Sequence, residues 1–365
     1  MIAKAIFWGS LAALAWTHAG YPAAAAVGAR LRPRPVRKGA GQPTVSVIVA
    51  AHDEEDVIER RLENLLALDY PADRVEIVVA SDASSDRTDE IVEGVAGRES
   101  RVRLLRCPRG GKVAAQNLAV RETTGEVTAF SDANATWAAP ALRKLVRNFA
   151  DAEVAYVMGQ LRLDSADGTN REGAYWRYEV WLREQESKLG SVTGGYGSIY
   201  AVRRSDYVEV DPTFGHDLAF PYLMVQRGRR AVYEPEAIAF EKPAPDTEDE
   251  FRRKVRMFEH CWAIVLRGRM LRRLDPVYFL QIVSHRHLRY SSGVLHLLLF
   301  ATSVRLANKS LSYCAALAGQ LGILALAATG RAGLSRYYVL VTWATVVGLV
   351  GYLRSGVPVV WEKTR

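Results

Sequence analysis

Two oxygen-bearing side chains, Asp132 and Asn134, stand two residues apart directly after an apolar run of the sequence. The run, in the stretch EVTAFSD, has the β-branched and aromatic composition of a buried strand. A carboxylate just past the carboxyl end of such a strand lies at the crevice of an open α/β sheet, where ligands bind. Carboxylate and amide oxygens at this spacing suit Mg²⁺ or Mn²⁺ that carries a diphosphate. The sequence therefore predicts a metal site at this strand end.

A second carboxylate, Asp82, follows another apolar run that begins at Val75. Either aspartate alone is more often a helix cap or a turn residue, but two carboxylates that converge at one sheet edge need a cation or hydrogen-bond donors between them. No G-x-G-x-x-G follows the first predicted strand, and no G-x-x-x-x-G-K-[ST] occurs in the 365 residues. The usual dinucleotide and Walker-type phosphate loops are therefore excluded.

The elements that must position these residues alternate along 44–134. Four β-rich runs, TVSVIVAA, VEIVVASD, RVRLLRC and EVTAFSD, are separated by helical patterns. Asp53, Glu54 and Glu55 are expected to cap the first of these helices. Alternating strands and helices predict a doubly wound α/β domain.

Both ends of the chain are apolar and almost uncharged. Residues 5–29 are long enough to cross a bilayer, with a cleaved signal peptide as the alternative, and the basic residues between Arg30 and Lys38 favour a cytosolic location for the central part of the chain. Residues 311–330 and 337–353 are two further predicted spans, and 290–307 is a weaker one. The amphipathic, basic segment 271–290 is expected to lie in the membrane interface, with a short soluble core helix as the alternative.

The net charge of +8 needs no nucleic-acid partner, because much of it flanks the predicted spans. The three cysteines, Cys107, Cys261 and Cys314, are too few and too far apart for a disulfide framework or a zinc site. This cysteine usage agrees with a reducing, cytosolic location.

With these motifs in place, the chain from about Val45 to Arg289 resembles the family-2 glycosyltransferases of GT-A fold, and more narrowly their membrane-integrated branch of cellulose, chitin and hyaluronan synthases. VSVIVAAHDEE is similar to the family's opening strand and implies that Ala51 and Glu54 contact the base or ribose. IVVASDASSDRT resembles a family segment that contacts the nucleotide, which implies that Asp82 lies against the uridine. RGGKVAAQNLAV resembles a second family segment, which implies that Lys112 lies near the donor. FSDANATW stands at the D-x-D metal motif, with an amide at its second position.

The resemblance also covers the acceptor side of the site. It implies an acceptor segment at Gly194, Gly195 and Ser198, whose glycines permit close approach to the backbone. It implies that Asp217 is the catalytic base, whereas the residues alone fit a helix N-cap equally well. EFRRKVRMFEHCW falls where processive members carry Q-x-x-R-W, so the motif positions are Arg253, Arg256 and Met257.

Arg253 and Arg256 are thereby predicted to bind the diphosphate, with a solvated or lipid-facing basic helix as the alternative. The motif's tryptophan, an aromatic platform for the acceptor sugar, is absent, and Trp262 is a displaced candidate for it.

These observations predict a metal-dependent, inverting hexosyl- or N-acetylhexosaminyltransferase in the cell membrane. It would move a sugar from a nucleotide sugar, expected to be UDP-linked, to a polysaccharide or lipid-linked acceptor at the cytosolic face. A non-catalytic nucleotide-sugar-binding subunit is the alternative. The predicted layout is a membrane helix (1–30), a basic linker (31–43), a catalytic domain (44–270), an interface helix (271–290), two or three membrane helices (291–356) and a tail (357–365).

Overall fold

The computed structural model describes residues 1–163, 174–242, 247–329, 333–357 and 360. Its strands are β1 (Val45–Ala51), β2 (Val75–Asp82), β3 (Val102–Cys107), β4 (Val127–Asp132), β5 (Thr136–Trp137), β6 (Val154–Leu163), β7 (Tyr200–Arg203) and β8 (Arg230–Glu241). They form one mixed sheet in the order β3-β2-β1-β4-β7-β6-β8-β5.

The helices lie around this sheet and at both ends of the chain. They are α1 (Ile2–Ala15), α2 (Tyr21–Leu31), α3 (Ile58–Leu66), α4 (Thr88–Ala96), α5 (Lys112–Arg121), α6 (Ala141–Val146), α7 (Ala174–Leu189), α8 (His216–Gln226), α9 (Thr247–Arg267), α10 (Pro276–Ile282), α11 (Leu288–Tyr290), α12 (Ser292–Leu306), α13 (Leu311–Ala328) and α14 (Gly333–Ser355). π-Helical turns at Trp16–Gly20 and Val283–His287 join α1 to α2 and α10 to α11.

The first half of the sheet is parallel. β1 pairs with β2 on one side and with β4 on the other, and β2 pairs with β3. Every residue of β1 is buried, as expected for a Val- and Ile-rich strand covered on both faces. The four predicted strands and their α/β alternation are confirmed.

The second half of the sheet is mixed and built from residues distant in sequence. β7 runs antiparallel to β4 and to β6, while β8 is parallel to β6. The short β5 pairs with the end of β8 through Thr136↔Phe240. This pairing brings the turn that holds Asp132 and Asn134 beside the carboxyl end of β8.

The predicted capping of α3 is wrong. The helix begins at Ile58 after Val57, and no side chain caps it. Asp53 has a positive φ of 56°, and its carboxylate accepts hydrogen bonds from the turn after β2, including one of 2.7 Å from the Ser85 backbone. The acidic residues after β1 therefore connect two loops at the sheet edge.

The terminal helices pack on one another and on the helices of the α/β domain. Phe7 and Leu14 of α1 contact Leu299 and Leu306 of α12. Among the described helices, α13 and α14 are long and apolar enough to cross a membrane by length and composition. At 15 residues, α12 is shorter than the ~20 residues that a span requires. The connection at 330–332 and all of the tail except residues 357 and 360 lie outside the described residues.

The segment from α10 to α11 lies within the predicted interface helix, but it does not expose its basic residues. Its apolar residues Val277, Phe279 and Leu280 are exposed, whereas Arg286 and Arg289 are buried. The basic character of this segment is therefore directed into the protein, where it forms part of a cavity described below.

Candidate active site

The carboxyl ends of β1, β2 and β4 meet at one edge of the sheet. The register places Ala50 opposite Asp132 and Ala51 opposite Ser81, next to Asp82. The predicted donor residues at these strand ends are thus neighbours. Glu54, in the loop after β1, is held by a 2.7 Å hydrogen bond from its backbone N–H to the Thr88 hydroxyl.

Asp82 organises the loop that precedes α5. Its carboxylate is buried and accepts hydrogen bonds from the backbone N–H groups of Gly110 (2.7 Å) and Gly111 (3.0 Å). The guanidinium of Arg109 lies 2.5 Å from the same carboxylate. Gly111 has a φ of 85°, a conformation that favours glycine. Asp82 thereby fixes the start of α5, whose first residue is Lys112.

Lys112 crosses the site to Asp132. The two side chains form an ion pair, and both remain partly exposed. A Cβ at Gly197 would lie 3.0 Å from the Lys112 Nζ and 3.4 Å from an Asp132 oxygen. Burial disfavours the Lys112 charge, but Asp132, Asp217 and Glu241 together raise its pKa above the usual value. Gly197, which lies within the predicted acceptor segment, therefore borders the Lys112–Asp132 ion pair.

Glu241 is a site residue missed in the sequence. It ends β8, its side chain hydrogen-bonds to Ser198, and Asp132 acts on it electrostatically. Burial, followed by the Asp132 charge, raises its pKa. The pairing of β5 with β8 brings Glu241 to the site, and no local sequence signal reveals that pairing.

Asp217 enters the site from the first turn of α8. The N-cap is Gly215, so the capping alternative for Asp217 is wrong. Burial raises the pKa of Asp217 most, and the nearby Lys112 charge opposes this increase. The Asp217 carbonyl accepts a 2.6 Å hydrogen bond from the Gly195 N–H, so the predicted acceptor segment is joined directly to the predicted base.

The glycines of that segment make room for protein groups. A Cβ at Gly194 would overlap the guanidinium of Arg286, and one at Gly195 would overlap the Tyr156 hydroxyl. Gly195 also lines the cavity beside Asp217. Close packing of these two side chains therefore accounts for both glycines.

The residues at the Q-x-x-R-W position have different surroundings. Arg253 and Met257 of α9 line the cavity beside Asp217, and Arg253 pairs with Glu250 at 2.7 Å. Arg256 lies on the same helix, close enough to Glu259 to act on its pKa. Trp262 is buried and donates a 2.9 Å hydrogen bond to the Thr345 carbonyl of α14. Trp262 therefore joins two helices and offers no platform to a sugar.

A cavity of about 320 Å³ extends from Asp217 towards α14. Its aromatic wall includes Trp176 and Tyr196, whose rings stack with centroids 5.2 Å apart. These two residues, which the sequence analysis did not select, supply the aromatic surface beside the predicted base.

The donor set at the end of β4 fits a metal that is shared with a substrate. Asn134 is exposed in the turn that follows Asp132, whose own side chain is partly exposed. Within the described residues, no group of three or more His, Cys, Asp or Glu side chains is arranged to hold a metal. One carboxylate and one amide leave most positions to phosphate oxygens and water, as Mg²⁺ sites commonly do.

Comparison with known proteins finds similar glycosyltransferases. The family model described as Glycosyl transferase family 2 matches residues 46–210. A beta-monoglucosyldiacylglycerol synthase of Trichormus variabilis is 32% identical over 206 residues, which cover 54% of this chain and 44% of that protein. An N-acetylglucosaminyltransferase of Rhizobium meliloti is 28% identical over 58% of this chain and 54% of its own length. The chain thus spans about half the length of these curated relatives.

Among solved structures, a mannosyltransferase from Pyrobaculum calidifontis, in complex with GDP-Man and Mn²⁺, superimposes with a TM-score of 0.75 at 24% identity. The match covers 96% of this chain and 99% of that one. The likeness confirms the predicted fold, an α/β domain of GT-A type with helices at both ends.

Proposed function

Because residues 46–210 match the model of glycosyl transferase family 2, we propose that the chain is a membrane-bound, metal-dependent, inverting glycosyltransferase. It transfers a hexosyl or N-acetylhexosaminyl group from a nucleotide sugar to a hydroxyl of a lipid-linked or polysaccharide acceptor. The active site faces the cytosol beside the membrane surface.

The observation that carries this proposal is the convergence of two carboxylates on one lysine. Asp132, at the end of β4, forms an ion pair with Lys112, and Asp217, at the start of α8, also acts on the Lys112 charge. The proposed metal ligand and the proposed base therefore act on the same lysine, although 85 positions separate them in the sequence. Transfer between a diphosphate donor and a hydroxyl acceptor requires both groups together.

In the proposed reaction, the acceptor oxygen attacks the anomeric carbon of the donor sugar. A new carbon–oxygen bond forms while the bond from the anomeric carbon to the diphosphate oxygen breaks, and the nucleoside diphosphate leaves with the electron pair. The Asp217 carboxylate accepts the proton of the attacking hydroxyl. Its raised pKa suits a base that works near neutral pH.

Asp132 and Asn134 would hold the metal, which on binding stabilises the negative charge of the departing diphosphate. Lys112 would contribute a second positive charge beside the same phosphates, and Arg253 and Arg256 are proposed to approach them from α9. The base and ribose would lie at the ends of β1 and β2, near Ala51, Glu54 and Asp82. Mn²⁺ and Mg²⁺ both match these oxygen ligands.

The site favours limited addition over processive synthesis. Met257 occupies the position of the tryptophan of the Q-x-x-R-W motif. Trp262 is hydrogen-bonded to α14 and packs against it. The stacked Trp176 and Tyr196 line the cavity beside Asp217 and are proposed to contact the acceptor, together with the segment at Gly194, Gly195 and Ser198. α13 and α14, together with the N-terminal helix, would hold this site at the membrane.

Nucleotide release by the detergent-solubilised full chain tests the proposal. UDP- and GDP-sugars are screened with Mn²⁺, with Mg²⁺ and with chelator, in the presence of membrane lipid extract. Release from one donor that stops with chelator is expected. Metal-dependent donor binding without release would instead support the non-catalytic subunit.

A further inference from the structure

The cavity beside Asp217 has an arginine-rich inner wall. This wall contains Arg183 of α7 together with Arg286 and Arg289 of the segment before α12. Their exposed fractions are 9% for Arg183, 5% for Arg286 and 8% for Arg289. The guanidinium of Arg286 lies against the backbone of Gly194. The next residue, Gly195, donates its N–H to the backbone carbonyl of Asp217. These buried cations therefore begin directly beside the proposed acceptor segment.

Several N–H groups of these arginines have no hydrogen-bond partner among the described residues. They are Nε and Nη1 of Arg183, Nη2 of Arg286, and Nε and Nη1 of Arg289. Buried polar groups of this kind are rare, because an unpaired group loses its hydrogen bonds to water, and the cost is larger for a charged group. An arginine cannot escape this cost by losing its proton.

Protein groups offset only part of the positive charge. Glu179 pairs with Arg289 at 2.7 Å, but it also lies 3.2 Å from His285, and the Arg183 guanidinium sits over the Tyr196 ring at 4.3 Å. The arginines and lysines that line the cavity are Arg183, Arg253, Lys254, Arg286 and Arg289, while its carboxylates are Glu179 and Asp217. Arg253 and Lys254 both pair with Glu250, and the charge of Glu186 acts on Arg286. The unpaired N–H groups of the buried Arg183 and Arg286 are therefore the feature that suits an anionic occupant.

An apolar pocket adjoins this cavity. It measures about 290 Å³ and lies between α12, α13 and α14, with Leu297, Ile323 and Trp343 in its wall. Tyr338 and Thr342 line both spaces. A cationic cavity beside Asp217 and an apolar pocket therefore share part of their wall, and the pocket lies against the two helices that are apolar enough to cross a membrane.

We propose that the acceptor is a phosphate-bearing lipid. Its phosphate binds Arg183, Arg286 and Arg289, its hydrocarbon chain enters the pocket between α12, α13 and α14, and its hydroxyl-bearing end faces Asp217. Guanidinium groups suit phosphate oxygens because they donate paired hydrogen bonds. This inference rests on the proposed function and narrows its acceptor to an anionic lipid.

The test compares two lipids that differ only in the phosphate. Phosphatidate and diacylglycerol with identical acyl chains are titrated, in mixed detergent micelles, into the full chain, and binding is followed by native mass spectrometry. We expect phosphatidate to bind at least tenfold more tightly. Glycerol 3-phosphate, which lacks the chains, should compete at least tenfold less well than phosphatidate.

Arg183→Gln is the informative variant, because Nε and Nη1 of Arg183 have no hydrogen-bond partner among the described residues. Lys188→Gln is the matched control, since it removes one charge from the exposed face of the same helix. Arg183→Gln should lower phosphatidate affinity about tenfold and leave diacylglycerol affinity and the unfolding temperature unchanged. Lys188→Gln should change neither lipid affinity.

Equal affinity for the two lipids would overturn the inference. Equal losses of phosphatidate affinity in Arg183→Gln and Lys188→Gln would also overturn it, because they would indicate nonspecific binding to surface charge. Equal competition by glycerol 3-phosphate would replace the lipid by a soluble phosphate. In each case the metal-dependent binding and turnover of the nucleotide sugar would persist. Failure of the proposed function would instead appear as loss of donor turnover in the unmodified chain.

Discussion

The ammonium of Lys112 forms an ion pair with the carboxylate of Asp132 at the carboxyl end of β4. The same carboxylate is the proposed metal ligand, so lysine and metal compete for it until a diphosphate is present. A bound diphosphate would provide a second anionic partner for Lys112. Metal and donor are therefore expected to bind cooperatively.

Lys112→Gln should separate the two affinities. Removing the competing cation should tighten Mn²⁺ binding in the absence of donor, whereas donor affinity should fall roughly tenfold, since a charge-assisted hydrogen bond contributes ~1.5–3 kcal/mol. Manganese titration by electron paramagnetic resonance and donor titration by calorimetry measure the two effects. Lys188→Gln is the control, and unchanged donor affinity in Lys112→Gln would exclude the proposed contact.

Asn134→Asp should strengthen the metal site. The substitution replaces an exposed amide with a carboxylate and adds one negative charge beside Asp132. We expect the Mn²⁺ concentration for half-maximal activity to fall by roughly tenfold, as one additional charged ligand contact implies. Asn134→Ala should shift it in the opposite direction. If both variants keep the original metal dependence, residue 134 is not a ligand.

The pH dependence of turnover should report Asp217. Burial raises its pKa above the usual 3.8, and the base is active only when deprotonated. The turnover rate should therefore be maximal at pH values above this raised pKa and should decline as the pH falls through it. Because the Lys112 charge lowers the Asp217 pKa, Lys112→Gln should move the acidic limb to higher pH. A flat profile down to pH 4 in a chain that circular dichroism shows to be folded would contradict this assignment.

Trp262 and Tyr196 should respond differently to substitution. Trp262→Ala removes a buried side chain between α9 and α14, which typically costs ~3–5 kcal/mol, so thermal unfolding in detergent should occur at lower temperature. Trp262→Phe should keep the acceptor KM unchanged. Tyr196→Leu should raise the acceptor KM at similar stability, because Tyr196 lines the cavity beside Asp217. A raised acceptor KM in Trp262→Phe would restore Trp262 as an acceptor contact.

The parallel half of the sheet could be predicted because its strands carry local signals. β1 and β4 are apolar runs that end in polar turns, and parallel pairing places their carboxyl ends at one edge. Asp132 and Asp82 were found by this reasoning. The position of Glu241 was not, because it depends on the pairing of Thr136 with Phe240, about a hundred residues apart.

The arginine wall was hidden for a different reason. Arg286 and Arg289 belong to a basic, amphipathic pattern that also fits a membrane-surface helix, and composition does not reveal which face turns inward. The structure buries these cations against Thr193, Glu179 and Tyr290 and exposes the apolar side chains of α10. Tertiary packing therefore decided the orientation of this segment.

The most direct test of the account is the separation of donor binding from turnover in Asp217→Asn, with the exposed Asp73→Asn as matched control. Both variants and the unmodified chain are assayed for metal-dependent donor binding and for nucleotide release with membrane lipid extract. Loss of the base should lower release by ~10²–10⁴-fold in Asp217→Asn, with donor affinity preserved and Asp73→Asn unaffected. Undiminished release by Asp217→Asn would contradict the proposed mechanism.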